Sequence, residues 1–199
     1  MARLSYVRSD VKTKTVRLAF ASDDGEDMIY TVGQSFYQSI GSPVKGELLD
    51  EYTISEIEKE DDYRRATRKA LALLELHDNN ERTLVTKLVM KGFDRELSKE
   101  VAREMVSLGY INELRQLERL VELDANVKLF GKERIMRHLA SRGYSISDVR
   151  KMILSLVDEG VIDFQKNAEK LLEKKLYGEY SEEEKNKILY KYGYKFQLK

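Results

Sequence analysis

Residues 84–93 of this 199-residue chain read LVTKLVMKGF, and the end of this stretch recurs twice further on. A leucine, three other residues, a glycine and then an aromatic residue appear at Gly92, Gly143 and Gly193, at spacings of 51 and 50 residues. A fixed period of this length is typical of a repeated supersecondary unit, and such units bury their apolar faces by stacking. The sequence therefore predicts a helical array, and stacked helical arrays usually serve as binding surfaces.

The first repeat is predicted to contain three helices. The first ends at Gly92, because a helix C-terminus commonly needs a left-handed residue, which glycine adopts at little cost. Asp94 is placed to cap the second helix, Gly109 ends it, and the third helix runs from about Asn112 to Leu123. Apolar residues at helical spacing mark the buried sides of the second and third helices: Leu97, Val101, Met105 and Leu108, then Leu114, Leu117, Leu120 and Val121.

The second repeat restates this pattern, with helices that end at Gly143 and Gly160 and a third helix from about Phe164 to Leu176. A serine with an acidic residue three positions later predicts capping boxes that begin at Ser145 and Ser181. The third repeat has room for little more than one helix.

The N-terminal region has a different composition. Residues 15–32 predict a β-hairpin, with Asp23-Asp24-Gly25 as its turn. Gln34 to Ile40 predicts a short helix, and Thr53 to Leu76 predicts a long helix with a break at Asp61-Asp62. We therefore expect a mainly α fold of tandem three-helix repeats in an elongated curved array, with a small N-terminal β-hairpin segment. The expected domains are 1–62, 63–127, 128–178 and 179–199.

The formal net charge is zero, but the charges are unevenly distributed. Residues 21–62 hold twelve acidic residues against two basic ones, whereas residues 128–152 hold seven basic residues against two acidic ones. The absence of cysteine excludes disulfides and thiolate chemistry and fits a reducing compartment, so we expect a cytoplasmic protein. No apolar run is long enough to cross a membrane, which requires roughly 18 residues.

The basic stretch of the second repeat is the main candidate site. Its arginines and lysines fall opposite the apolar stripes of their own helices, where they could hold phosphates or acidic protein surfaces. Ordinary solvated helix faces explain the same pattern equally well. The candidate contact residues are Lys132, Arg134, Arg137, Arg142, Arg150 and Lys151, with Lys91, Arg95, Lys99, Lys191 and Tyr194 as secondary candidates.

The C-terminal stretch 190–196 interleaves aromatic residues with lysines, as nucleic-acid-binding segments do. The favoured interpretation is that these aromatic residues cover an incomplete final repeat. The chain has no catalytic motif, no cofactor-binding loop and no metal-binding pattern, since His77 and His138 lie in different repeats. A non-enzymatic protein is therefore expected.

The chain resembles the RecX family of bacterial recombination regulators. The resemblance rests on the order and spacing of the repeat residues, from the helix at Ala66–Leu74 to Lys187 and Gly193-Tyr194, and covers nearly the whole chain. Within it, Leu84, Leu88 and Gly92 are followed by Leu108-Gly109-Tyr110-Ile111, and then by Gly131, Arg134, Leu139 and Gly143.

This resemblance implies a protein without enzymatic activity that binds the RecA filament on single-stranded DNA. It also implies inhibition of the ATPase and strand exchange of RecA, in DNA repair and the SOS response, and we expect a monomer without cofactor or membrane partner. Two alternatives stay open. The chain could bind single- or double-stranded DNA directly through its second repeat and tail, or it could be a helical scaffold for another protein.

Overall fold

The computed structural model describes residues 1–21, 27–176 and 180–195. Within them the chain is mainly helical, with a small antiparallel sheet near the N-terminus, so the predicted fold class is confirmed. The chain divides into two compact units. The first unit comprises Met1–His77 and Leu84–Met105, and the second comprises Asp78–Thr83 and Val106–Lys199.

The sheet of the first unit has the strand order β3-β2-β1-β4, with antiparallel neighbours throughout. The predicted hairpin is confirmed as the β2–β3 pair, in which Val16 lies opposite Val32, while the predicted turn Asp23-Asp24-Gly25 lies outside the described residues. Strand β1 was not predicted, because a register shift between Leu4 and Tyr6 interrupts its alternation of apolar and polar residues. The strands are β1 Ala2–Asp10, β2 Thr15–Phe20, β3 Met28–Gly33 and β4 Leu48–Leu49.

The sheet packs one face onto helices α1 (Gln34–Ser39) and α2 (Glu51–Leu76). Alternate residues of β2 are buried there together with Ile57 of α2: Val16, Leu18 and Phe20. The predicted break at Asp61-Asp62 is wrong, because α2 is continuous and crosses the expected domain boundary at residue 62. The carboxylate of Asp61 accepts the N–H of Thr31 at 2.8 Å, so this acidic residue ties the helix to the edge strand instead of ending the helix.

The first two predicted helices of the first repeat are α3 (Glu81–Met90) and α4 (Arg95–Ser107). Gly92 adopts a φ of +91°, and the next residue donates its N–H back to the carbonyl of Leu88, which confirms the predicted helix end. The carboxylate of Asp94 accepts the N–H groups of Glu96 and Leu97, so the predicted cap is also confirmed. These backbone hydrogen bonds lower the pKa of Asp94.

The second unit contains five helices and one π-helical turn among its described residues. They are α5 Glu113–Glu122, the π-helical turn Leu123–Val127, α6 Lys132–Ser141, α7 Ile146–Asp158, α8 Phe164–Lys175 and α9 Glu182–Lys191. Helices α5, α6 and α7 share one apolar core. A smaller cluster joins α8 and α9 around Leu171, Leu189 and Tyr194.

Three local expectations for the repeats differ from the structure. Leu108 and Leu114 were predicted to be buried but are 61% and 70% exposed. Leu108 follows the last residue of α4, and Leu114 lies in the first turn of α5. Ser145 begins α7 without a side-chain capping bond, so its predicted capping box does not form. The capping box of Ser181 and Glu184 at the start of α9 is confirmed.

Candidate binding face on the second repeat

Helix α6 is anchored by a buried carboxylate in the preceding π-helical turn. Asp124 is fully buried, and its two oxygens contact Lys128 Nζ at 2.8 Å and His138 Nδ1 at 2.5 Å. The edge of the His138 ring also faces Phe130, with ring centroids 6.1 Å apart. His138 therefore helps to fix α6 against the turn, and a π-helical turn at this point is a feature often found near functional sites.

Four of the candidate cations are exposed: one on α6, one just after the last residue of α6, and two on α7. They are Arg137, Arg142, Arg150 and Lys151, and we call them the repeat-2 face. Within the described ranges none of the four has a carboxylate within ion-pair distance. Their helices are positioned by the shared core beneath them, in which Ile135 and Leu139 of α6 are fully buried. The solvated charges thus lie on two helices that pack on one apolar core.

Arg142 also shapes the local electrostatics at the end of α6. Its backbone carbonyl accepts a hydrogen bond from Asn80 Nδ2 at 3.0 Å, which fixes the backbone where α6 ends at Gly143. Burial raises the pKa of Tyr144, and the nearby Arg142 charge counters part of that rise. The hydroxyl of Tyr144 donates to Gln116 Oε1 at 3.2 Å, so this side chain belongs to the packing around the face.

Arg134 does not join this face, contrary to the expectation that it is exposed. Its guanidinium lies 4.0 Å from the ring centroid of Phe130 and 4.9 Å from that of Tyr192, and it donates to the carbonyl of Lys191 at 3.2 Å. Two stacked rings and a hydrogen bond leave the side chain half-buried. Arg134 therefore packs the C-terminal segment onto α6.

This junction between the C-terminal segment and the start of α6 includes two glycines, Gly131 and Gly193. The N–H of Gly131 donates to the carbonyl of Tyr192 at 2.8 Å, and that of Glu133 donates to the carbonyl of Gly193 at 3.2 Å, so the free amides at the start of α6 are satisfied by the end of the third repeat. A Cβ on Gly193, whose φ is +86°, would lie 2.5 Å from both N and Cβ of Arg134. An ion pair between Lys195 and Glu133 at 3.1 Å adds to the junction.

The remaining candidates are dispersed. Lys132 is exposed, with its ammonium 5.4 Å from the ring centroid of Phe164. In the first unit, Lys91 and Arg95 are exposed, whereas Lys99 is half-buried and paired with Glu96 at 2.6 Å.

The aromatic tail is largely a packing element. Tyr194 is 5% exposed and donates its hydroxyl to the carbonyl of Leu129 at 3.2 Å, and burial raises its pKa to about 12. Its ring therefore cannot stack on a nucleobase in this conformation, and a contact role for Tyr194 in binding RecA stays a prediction. Lys191 and Tyr190 are exposed, the latter by 79%, while Phe196 lies outside the described residues.

The repeat-2 face offers guanidinium and ammonium groups to an anionic partner. Among the described residues no cluster of three or more His, Asp or Glu side chains is arranged to hold a metal ion. In the same ranges, none of the helices has the length and apolarity that a membrane crossing requires.

Comparison with known proteins identifies similar chains. The curated regulatory protein RecX of Clostridioides difficile (strain 630) is 28% identical over 151 residues, which span 74% of this chain and 67% of that protein. A crystal structure of regulatory protein RecX matches 98% of this chain and 95% of its own, with a TM-score of 0.73 and 21% identity. The crystal structure of RecX from Lactobacillus salivarius matches 68% of this chain and 90% of its own, with a TM-score of 0.57 and 22% identity. No family model matches the chain.

Proposed function

We propose that this chain, which these similarities assign to the RecX family, binds the RecA filament on single-stranded DNA and slows its ATP hydrolysis and strand exchange. The observation that carries the proposal is the similarity to regulatory protein RecX over 151 residues. The family resemblance of the repeat residues points to the same partner. In this role the chain acts as a binding protein without turnover.

The repeat-2 face supplies the chemistry for such binding. Arginine presents a planar fork of donors that fits carboxylates and phosphates with two hydrogen bonds, and a filament on DNA carries both kinds of group. Because Arg137, Arg142 and Lys151 have no ion-pair partner within the described residues, a partner need not displace an existing contact. Charge-assisted hydrogen bonds at an interface contribute roughly 1.5–3 kcal/mol each.

The first experiment measures the DNA-dependent ATPase of RecA at increasing concentrations of the full chain. We expect the rate to fall at ratios below one protein per RecA subunit. An unchanged rate at equimolar protein would contradict the proposal. The chain alone should hydrolyse no ATP, and intrinsic hydrolysis would contradict its role as a binding protein.

A charge-reversed variant tests whether the inhibition of RecA depends on the repeat-2 face. The triple change Arg137→Glu, Arg142→Glu and Lys151→Glu should raise the concentration needed for half inhibition at least tenfold. Its matched control is Lys166→Glu, Lys170→Glu and Lys174→Glu on α8, which makes the same change of charge at exposed lysines of the same unit. Equal loss in both variants would mean that only total charge matters.

Two other functions would give different results. A protein that acts only by binding DNA would inhibit RecA only where the two compete for DNA, so raising the DNA concentration would relieve the inhibition. A scaffold for another protein would leave both the ATPase of RecA and its filament unaffected while remaining folded.

A further inference from the structure

A cationic cleft lies in the first unit, between the sheet and α2. Its volume is about 800 Å³, and its lining comes from β1, the β1–β2 turn, β2, β3 and α2. The lining includes one acidic residue, Asp10, against five basic residues: Arg8, Lys12, Arg17, Arg64 and Arg68.

The two strand arginines of this cleft face each other. Arg8 of β1 lies directly opposite Arg17 of β2 in the antiparallel register, and both are exposed. Like charges directly opposite each other on neighbouring strands destabilise a sheet. In the described parts of the chain neither arginine has a carboxylate within ion-pair distance. The carboxylate of Asp10 instead accepts the N–H groups of Lys12 and Thr13, at 2.9 and 3.3 Å.

Helix α2 forms the other side of the cleft. Glu60 accepts the N–H of Gly33 at 3.2 Å and lies 3.7 Å from Arg64, so the contacts that attach α2 to the sheet edge also hold Arg64 toward the cleft. One turn further on, Arg68 is exposed and has no ion-pair partner among the described residues. The cleft therefore keeps a positive charge that its own side chains leave uncompensated.

The remaining lining is rich in hydroxyl groups. The hydroxyl of Thr67 is buried and has no hydrogen-bond partner in the described ranges, although it lies close enough to Tyr63 to lower the pKa of that phenol slightly. Burial is the main cause that raises the pKa of Tyr63 to about 12, and its hydroxyl donates to Glu104 at 2.6 Å. Tyr63 thus contributes an aromatic ring to the cleft lining, and its hydrogen bond to Glu104 fixes the orientation of that ring.

We propose that this cleft binds the phosphate backbone of single-stranded nucleic acid. Cations spread over two strands, a turn and a helix suit a run of several phosphates better than a single anion, and hydroxyl donors complement phosphate oxygens. A cavity of about 800 Å³ is large enough for a few nucleotides of one strand. Grooves for single strands commonly combine positive charge with an aromatic side chain.

The test uses the full chain without RecA, so its outcome is independent of the proposed regulatory function. Binding of a fluorescent 15-nucleotide oligo(dT) is followed by anisotropy at several salt concentrations. We expect binding that weakens with salt, and Arg17→Glu should weaken it at least tenfold and reduce the steepness of the log–log salt dependence by about 0.7, the contribution of one phosphate contact. Lys45→Glu is the matched control, because it makes the same kind of charge reversal at an exposed lysine outside the cleft lining, and it should change affinity less than twofold.

Competitors identify the kind of ligand. Unlabelled oligo(dT) should displace the probe at least ten times more effectively than free deoxynucleotide, pyrophosphate or a 15-residue polyglutamate. No binding at 50 mM salt, or equal weakening by Arg17→Glu and Lys45→Glu, would overturn the proposal. Stronger displacement by polyglutamate would also overturn it and indicate a site for acidic peptides, and stronger displacement by free nucleotide or pyrophosphate would indicate a small-molecule site. A melting temperature of Arg17→Glu that is no lower than that of the parent verifies that the comparison is between folded proteins.

Discussion

The repeat-2 face and the cleft of the first unit are both cationic, but they are built differently. The face takes its charges from residues 137–151, where two helices stand on one apolar core. The cleft takes its charges from residues 8–68, which strand pairing and a helix bring together. The face is a local property of the sequence, whereas the cleft exists only once the sheet has formed. The two surfaces can therefore be separated by mutations in either unit.

The largest effect is expected from Leu139→Asp beneath the repeat-2 face. This side chain is fully buried, so the substitution places a carboxylate in the shared core of α5, α6 and α7 without a partner. Such changes cost more than about 4 kcal/mol of stability. Circular dichroism should show a large loss of helix and RecA inhibition should disappear, while oligonucleotide binding by the cleft persists. Loss of oligonucleotide binding as well would show that the two surfaces are not separable.

Two glycine substitutions test the junction in which Arg134 packs the C-terminal segment onto α6. Gly193→Ala introduces a left-handed alanine and a Cβ 2.5 Å from Arg134, whereas Gly160→Ala meets nothing within 4 Å and has only the left-handed penalty, at a φ of +75°. That penalty is about 1–2 kcal/mol, and the steric conflict should add about 1–3 kcal/mol. Chemical denaturation measures both variants, and equal losses of stability would mean that the junction yields without cost.

The next comparison separates a packing arginine from a surface arginine on the same helix. Arg134→Ala removes two cation–π contacts and a hydrogen bond and should cost about 1–2 kcal/mol, because each cation–π contact contributes about 0.5–1 kcal/mol. Arg137→Ala should change stability by less than about 0.5 kcal/mol. The order should reverse in filament binding, where Arg137→Ala is the more damaging change. The same order in both measurements would place Arg134 in the binding surface.

Much of the helical repeats could be predicted from their sequence, because the necessary information is local. Glycines at helix ends and leucines at helical spacing sufficed for α3, α6 and α9. The role of Arg134 could not be predicted, since its partners Phe130 and Tyr192 belong to different repeats and only tertiary packing brings the rings together. The same holds for the cleft, because the pairing of Arg8 with Arg17 depends on strand β1, whose register shift hides its period.

The smallest expected effect is a gain in stability, in contrast to the losses above, and it comes from changing one of the two strand arginines. Arg17→Glu converts a repulsive cross-strand pair with Arg8 into an attractive one, which should raise the stability of the first unit by roughly 0.2–1 kcal/mol. The gain should shrink at high salt, because ions screen exposed charges. Thermal melting at 20 mM and 500 mM salt measures this, and destabilisation at low salt would contradict the arrangement of charges described for the cleft.

The most direct measurement of the central claim is the affinity of the full chain for RecA filaments assembled on immobilised single-stranded DNA, recorded by biolayer interferometry. The parent should bind, and Arg137→Glu, Arg142→Glu and Lys151→Glu together should weaken binding at least tenfold while the melting temperature stays within a few degrees. The control triple on α8 should bind within twofold of the parent. A parent that does not bind filaments, or a folded face variant that binds as tightly as the parent, would contradict the account.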